Sequence, residues 1–164
     1  MSIEKLFKTI VAISLLSLSC AANAEFFSVI ESKPISELWL NPGMYSYHFR
    51  TNKGFNNSNF GLGGEYRYST VSSVTLGEYN NSERQTSHYI GWYWQPVMLG
   101  PVRFGAVIGA IDGYPRMQNG GWFLAAIPTA GIEYKNIGAN LIFIPDYKDK
   151  VYGSISLQLK LKVF

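Results

Sequence analysis

Polar and apolar residues alternate with a period of two near the end of the chain. Residues 151–164 contain two interleaved sets, one apolar and one polar: Ile155, Leu157, Leu159, Leu161 and Val163, and Ser154, Ser156, Gln158, Lys160 and Lys162. Successive side chains of a β-strand point to opposite faces of a sheet. The pattern therefore predicts a strand with one apolar and one polar face.

Segments of similar character, each about ten residues long, recur from residue 43 onward. Aromatic and β-branched side chains are frequent in them, and clusters of Gly, Asn, Asp, Ser and Pro separate them. We predict eight strands, over residues 43–51, 60–69, 72–79, 86–96, 102–111, 122–135, 137–145 and 151–164.

Two features favour a membrane barrel over a soluble sandwich, which can show the same alternation. Aromatic residues suited to the membrane interfaces recur in the strands: Tyr45, Tyr66, Tyr68, Trp92, Trp94 and Trp122. Tight turns follow residues 69, 97 and 135, and longer connections span 52–59, 80–85 and 112–121. Outer-membrane barrels have short periplasmic turns and longer extracellular loops. We predict an all-β fold, an eight-stranded antiparallel transmembrane β-barrel over residues 43–164.

The beginning of the chain predicts export. Lys5 and Lys8 precede an apolar run over residues 10–18, and small residues close the segment at Ala22-Asn23-Ala24. This is the pattern of a secretory signal peptide, over residues 1–24. The run is shorter than the roughly 20 residues of a membrane-spanning helix. A lipoprotein anchored at Cys20 is the alternative, although Ser17 stands where such proteins usually have leucine.

Residues 25–42 are predicted to form a periplasmic amphipathic lead-in. The segment 26–40 offers an apolar side, so we expect an amphipathic helix or interfacial anchor that Pro34 starts or interrupts. A disordered lead-in is the alternative. The expected location is the outer membrane of a Gram-negative cell.

Composition and charge exclude several classes of function. The formal net charge is +3, and no Lys/Arg cluster has the density of a nucleic-acid footprint. Cys20 is the only cysteine, and His48 and His88 with nearby acids lack metal-ligand spacing. The glycines of residues 61–64 lie inside a predicted strand, not at a phosphate-binding turn. We expect a monomer with no metal, no cofactor and no nucleic-acid partner.

The predicted inward faces divide into two zones. Polar side chains lie toward the periplasmic end, where we expect a plug: Glu65, Arg67, Gln95, Arg103, Glu133, Asn140, Gln158, Lys160 and Lys162. Small and apolar side chains lie above them: Gly61, Gly63, Gly91, Val107, Gly109, Ala125, Ile127, Ile142 and Ile144. An apolar chamber suits a hydrocarbon chain rather than a water channel. The alternative is a filled core, since eight strands enclose little more than their own side chains.

Two prolines, Pro128 and Pro145, fall inside neighbouring predicted strands. Proline removes a donor from the hydrogen-bond ladder, so the pair predicts a gap between the strands. Such a gap can serve as a lateral entrance for lipid. The alternative is a pair of bulges near the barrel rim.

Residues 127–145, which read Ile-Pro-Thr-Ala-Gly-Ile-Glu-Tyr followed by Phe-Ile-Pro, resemble the PagP outer-membrane lipid A palmitoyltransferases. Tyr47-His48-Phe49 and Tyr89-Ile90-Gly91-Trp92 are also similar. The resemblance implies a barrel with an amphipathic N-terminal helix. It also implies an enzyme that transfers an acyl chain from a membrane phospholipid to lipid A.

The same resemblance implies the site residues. His48 matches the family's histidine, and Asn81-Ser82 falls near its Asp-Ser pair, with Asn in place of Asp. An amide cannot accept a proton as a carboxylate does, so Glu78 or Glu83 is considered as the missing charge. Gly91, Val107, Gly109, Ile127 and Ile142 are the predicted acyl-chain pocket.

Each of these residues also has a simpler interpretation. His48 is alternatively a solvated rim residue, Ser82 and Asn81 are common turn formers, and His88 is expected to face outward. A non-enzymatic structural or surface-binding barrel and a lipid A deacylase therefore remain as alternatives to the acyltransferase.

Overall fold

The computed structural model describes residues 26–148 and 150–164, so the predicted signal peptide with Cys20 lies outside the described residues. The described chain forms nine strands: β1 (Phe27–Val29), β2 (Pro34–His48), β3 (Ser58–Ser69), β4 (Ser72–Asn80), β5 (Thr86–Leu99), β6 (Val102–Ile111), β7 (Phe123–Tyr134), β8 (Ile137–Ile144) and β9 (Ser154–Lys162). Short 3₁₀ turns lie at Thr51–Lys53 and Gln118–Gly120.

Strands β2 to β9 close into one antiparallel barrel. Each strand pairs with the next along the chain, and β9 pairs back onto β2. The closing ladder places Leu40 beside Leu161 and His48 beside Ser154. The predicted all-β class and the eight-stranded antiparallel barrel are therefore confirmed.

The predicted start of the barrel at residue 43 and the helix before it are wrong. Strand β2 begins at Pro34, and Phe27–Val29 forms β1, which pairs with the end of β5. Leu38 and Leu40 are exposed while Trp39 is buried, so this segment alternates with the period of a strand. The pairing of Leu38 with Tyr66 on β3 fixes that register.

A bulge at Gly43 reverses which residues of β2 face inward. Trp39 and Asn41 are buried before it, and Ser46 and His48 are buried after it, so the inward parity changes from odd to even numbers. Gly43 has φ +97, and a Cβ at this position would overlap the Asn59 carbonyl. Glycine is therefore required here, and the bulge is what turns His48 into the barrel.

The outer face of the barrel is apolar. Large hydrophobic side chains with more than half of their surface exposed are spread over the strands: Phe60, Leu62, Leu76, Ile90, Leu124, Leu159 and Leu161. None of the helical segments in the described ranges is long and apolar enough to cross a membrane.

The interior near the short turns holds a network of ion pairs. Lys160 Nζ lies 3.0 Å from Glu65 Oε2 and 2.8 Å from Glu133 Oε1, and Arg67 pairs with Glu133. Lys160 also lies 4.8 Å from the ring of Trp39. The predicted polar plug is therefore confirmed, and β2 adds Glu37 and Trp39, which the helix prediction had placed outside it.

Candidate active site

His48 and Ser82 meet at the rim of the barrel that carries the longer loops. His48 ends β2, and Ser82 lies in the loop between β4 and β5. The distance from His48 Nε2 to Ser82 Oγ is 2.8 Å, and the imidazole is only 5 % exposed. The structure therefore brings the two sequence-predicted residues together, and the interpretation of His48 as a solvated rim residue does not fit its burial.

Asn57, in the loop between β2 and β3, completes a three-residue chain of hydrogen bonds. His48 Nδ1 lies 2.9 Å from Asn57 Oδ1. An amide oxygen only accepts, so the proton resides on Nδ1 and leaves Nε2 free to accept the Ser82 hydroxyl proton. Serine or cysteine, histidine and a third orienting residue, asparagine included, recur in acyl-transfer enzymes of unrelated folds.

The structure gives Asn81 a different position from the one that its resemblance to a catalytic aspartate implies. Its side chain is buried and holds the loop: Oδ1 accepts from the amides of Glu83 and Gln85, and Nδ2 donates to Ser87 and Gly113. This is the usual role of asparagine in a turn. Asn81 therefore positions Ser82, and the partner of His48 is Asn57.

Neither glutamate considered as a replacement charge contacts His48 as its partner. Glu78 lies on the outer face of the barrel, where its Oε2 is 3.7 Å from Nε2 of His88. Glu83 lines the same small cavity as His48 and Ser82. His88 is exposed and lies 3.2 Å from Asp112, as expected for an outward residue.

Two aromatic residues border the histidine and the serine. The Phe55 ring lies 4.8 Å from the imidazole of His48. Tyr114 lines the same small cavity as Ser82, and its hydroxyl lies 3.0 Å from the hydroxyl of Tyr79. Burial raises the pKa of Tyr114, so its hydroxyl remains a neutral hydrogen-bond donor next to the serine.

An apolar chamber lies inside the barrel below this rim. Its volume is about 90 Å³, and all five predicted pocket residues line it: Gly91, Val107, Gly109, Ile127 and Ile142. Tyr79, Tyr89 and Tyr93 also line it and narrow the space that the sequence had suggested was open. A Cβ at Gly63 would overlap the Tyr89 hydroxyl, so this ring fills the volume expected beside that glycine.

The barrel wall is open between β7 and β8 on the same side. Their ladder ends at Thr129 and Ile142, so the residues beyond that pair lack ladder partners across this seam. Pro128 is the next residue of β7, and Pro145 follows the end of β8. A cavity of about 330 Å³ occupies the gap.

The cavity in this lateral opening shares part of its wall with the chamber. Pro145 and Ala126 line the opening, while Ile127 and Ile144 line both cavities. An apolar cavity of about 150 Å³ is large enough to bind benzene in another protein. The cavity between β7 and β8 therefore has room for part of a hydrocarbon chain. It also adjoins the candidate active site, because Ile144 borders both this cavity and that of His48 and Ser82.

Among residues 26–148 and 150–164, no group of three or more His, Cys, Asp or Glu side chains is arranged to hold a metal ion.

Comparison with models of known protein families finds no match. A search of curated proteins finds no significant similarity either.

Proposed function

We propose that this protein is an outer-membrane acyltransferase that moves an acyl chain from a phospholipid to lipid A. The observation that carries the proposal is the hydrogen-bonded chain of Ser82, His48 and Asn57 at the loop rim of the barrel, above an apolar chamber. An apolar outer face and strands paired all around the barrel suit a lipid bilayer, because this pairing satisfies the backbone hydrogen bonds outside the gap between β7 and β8. The resemblance around Pro128 and Pro145 supports the same class.

The first half of the proposed reaction acylates the enzyme. Ser82 Oγ attacks the carbonyl carbon of a phospholipid ester while His48 Nε2 takes the hydroxyl proton. The ester C–O bond then breaks, and His48 gives that proton to the leaving oxygen, which releases a lysophospholipid. The acyl chain stays on Ser82 as an ester.

The second half transfers the chain. A hydroxyl group of lipid A attacks the acyl-serine, His48 accepts its proton, and the proton returns to Ser82 Oγ as that bond breaks. Asn57 holds the imidazole in the required tautomer throughout. The neutral Tyr114 hydroxyl is suited to donate a hydrogen bond to the oxyanion that forms on the carbonyl oxygen.

The lateral opening supports a route by which a membrane lipid would reach the site from the bilayer. The gap between β7 and β8 is lined by apolar side chains and lies on a wall whose outer face is apolar. An acyl chain can therefore pass from the bilayer to the chamber without crossing water, which favours its transfer.

A reconstituted assay tests the function. Purified barrel is mixed with lipid A and a phospholipid that carries a labelled acyl chain. Label in lipid A supports acyl transfer, label only in free fatty acid indicates hydrolysis of the phospholipid, and unlabelled fatty acid released from lipid A indicates a deacylase. No change in either lipid contradicts an enzyme and favours a structural barrel.

Two serine variants control this assay. Ser82→Ala removes the proposed nucleophile and is expected to abolish labelling. Ser58→Ala removes an exposed hydroxyl at the start of β3, near the same rim, and is expected to leave labelling unchanged. Equal activity of the two variants contradicts the role given to Ser82.

A further inference from the structure

Four cationic side chains from three loops lie around the mouth of the barrel. Arg50 and Lys53 come from the connection between β2 and β3, Arg116 from that between β6 and β7, and Lys150 from that between β8 and β9. All four are exposed. Residues far apart in the chain therefore build one positively charged surface beside the candidate active site.

Tyr152 is the centre of this surface. The charged groups of Arg50, Lys53 and Arg116 lie 5.2, 5.8 and 5.0 Å from its ring centroid. A ring attracts each cation only modestly at an exposed site, and cations closer than a Debye length repel one another. Asp146, 3.5 Å from Arg50, offsets part of that repulsion. Tyr152 therefore holds three of the four cations close to one another.

A polar cleft adjoins the cluster. Its volume is about 340 Å³, and its lining includes the cations Arg116 and Lys150 together with the amides of Gln118 and Asn119. Guanidinium, ammonium and amide groups are the donors that recognise phosphate oxygens in proteins. The cleft therefore has the chemistry of a phosphate site, and its opening to solvent leaves it accessible to a headgroup.

The cleft is also connected to the reacting groups. Lys150 lines both the cleft and the cavity of His48 and Ser82. The Phe55 ring lies 4.9 Å from Tyr152 and 4.8 Å from His48, both in tilted contacts, so two aromatic rings separate the cations from the imidazole. In a phosphorylated lipid the phosphate and an acyl ester are likewise a few bonds apart.

We infer that the cleft of Arg116 and Lys150, with Arg50 and Lys53, binds the phosphate group of a lipid substrate and so places its acyl ester or hydroxyl at Ser82. That the bound lipid is a substrate rests on the proposed function, whereas phosphate binding itself does not require turnover. The phosphate can belong to the phospholipid donor or to lipid A, and binding measurements separate the two.

The test uses the full barrel in detergent micelles with Ser82→Ala, so that nothing is consumed. Equilibrium binding is measured for three probes: an anionic phospholipid, phosphorylated lipid A, and the same lipid A after removal of its phosphates. Arg116→Gln with Lys150→Gln is expected to weaken binding of at least one phosphorylated probe tenfold or more, and to leave dephosphorylated lipid A unchanged. The affected probe identifies the source of the phosphate.

Two control variants make the result decisive. Lys150→Arg keeps the charge and should retain binding, and Lys135→Gln removes a cation at the opposite end of the barrel and should change nothing. Equal binding of all probes, or no loss in the double variant, overturns the inference. If phosphorylated lipid binds as expected but the wild-type protein turns over no lipid, the phosphate site stands and the acyltransferase proposal fails.

Discussion

Asn57 Oδ1 lies 2.9 Å from Nδ1 of His48, on the side of the ring opposite Ser82. An uncharged partner fixes the tautomer and the orientation of the imidazole, but it stabilises the imidazolium less than a carboxylate does. In the proposed reaction, the activation of Ser82 therefore depends on the orientation of His48 more than on a charge at residue 57.

Asn57→Ala is expected to lower kcat by about 10²-fold, because the imidazole loses the group that orients it. Asn57→Asp retains the acceptor and adds a charge, so it should keep activity at or above that of the wild type. The measurement is kcat for labelled acyl transfer. Equal activity of wild type and Asn57→Ala contradicts the orienting role.

Joining β7 to β8 should block lipid access. Ala126 and Pro145 both line the lateral opening and are exposed, so cysteines there can be bridged by a short thiol reagent without filling the chamber. We expect the bridged protein to lose most turnover while the unbridged variant keeps it. Residues 26–164 contain no native cysteine to interfere.

The control bridge joins the same strands where the ladder is intact. Ile132 and Ala139 are directly paired, and a link there leaves the gap open. Activity retained in this control and lost with the Ala126 and Pro145 link supports a lateral route. Full activity in both bridged proteins rules the route out.

Strand positions followed from the sequence because alternation and turn residues record them directly. The predicted 102–111 strand matches β6 (Val102–Ile111), and the plug of Glu65, Arg67 and Lys160 followed from parity. The predicted start of the first barrel strand was wrong, because the adjacent apolar residues Leu38 and Trp39 are also compatible with one side of an amphipathic helix. In the strand these two residues face opposite sides.

The site was only partly predictable. His48 and Ser82 were proposed from a resemblance, but Asn57 carries no local pattern, since its role depends on how one loop folds over the barrel. The inward position of two tyrosines of the chamber does follow from the sequence. Tyr89 and Tyr93 share the parity of Gly91, so alternation alone predicts that they face inward.

Gly43→Ala should destabilise the barrel more than the same change at another glycine with positive φ. Gly43 (φ +97) would place a Cβ against the Asn59 carbonyl, whereas Gly54 (φ +66) has open space around it. We expect the free energy of unfolding to fall by about 3 kcal/mol for Gly43→Ala and by about 1 kcal/mol for Gly54→Ala. Urea unfolding in lipid measures both, and equal losses contradict the steric account of the bulge.

Lys160→Met should be strongly destabilising because it leaves Glu65 and Glu133 buried with one cation fewer. Its side chain is 1 % exposed, and removing one partner of such a network costs about 3 to 5 kcal/mol. Lys162→Met is the matched control, since Lys162 is 27 % exposed and pairs with Glu37 at the edge. Its loss should be about 1 kcal/mol or less. Similar losses for both variants would show that burial does not set the energy of this network.

The proposed reaction is acyl transfer to lipid A by His48 and Ser82. Mass spectrometry of lipid A from cells with and without the protein tests it most directly. We predict a species heavier by one acyl chain that appears with the wild type and disappears with His48→Ala and Ser82→Ala, while all three proteins keep the same shift between unboiled and boiled samples on a gel. Identical lipid A spectra with and without the wild-type protein would contradict the account, and activity that survives His48→Ala would contradict its site.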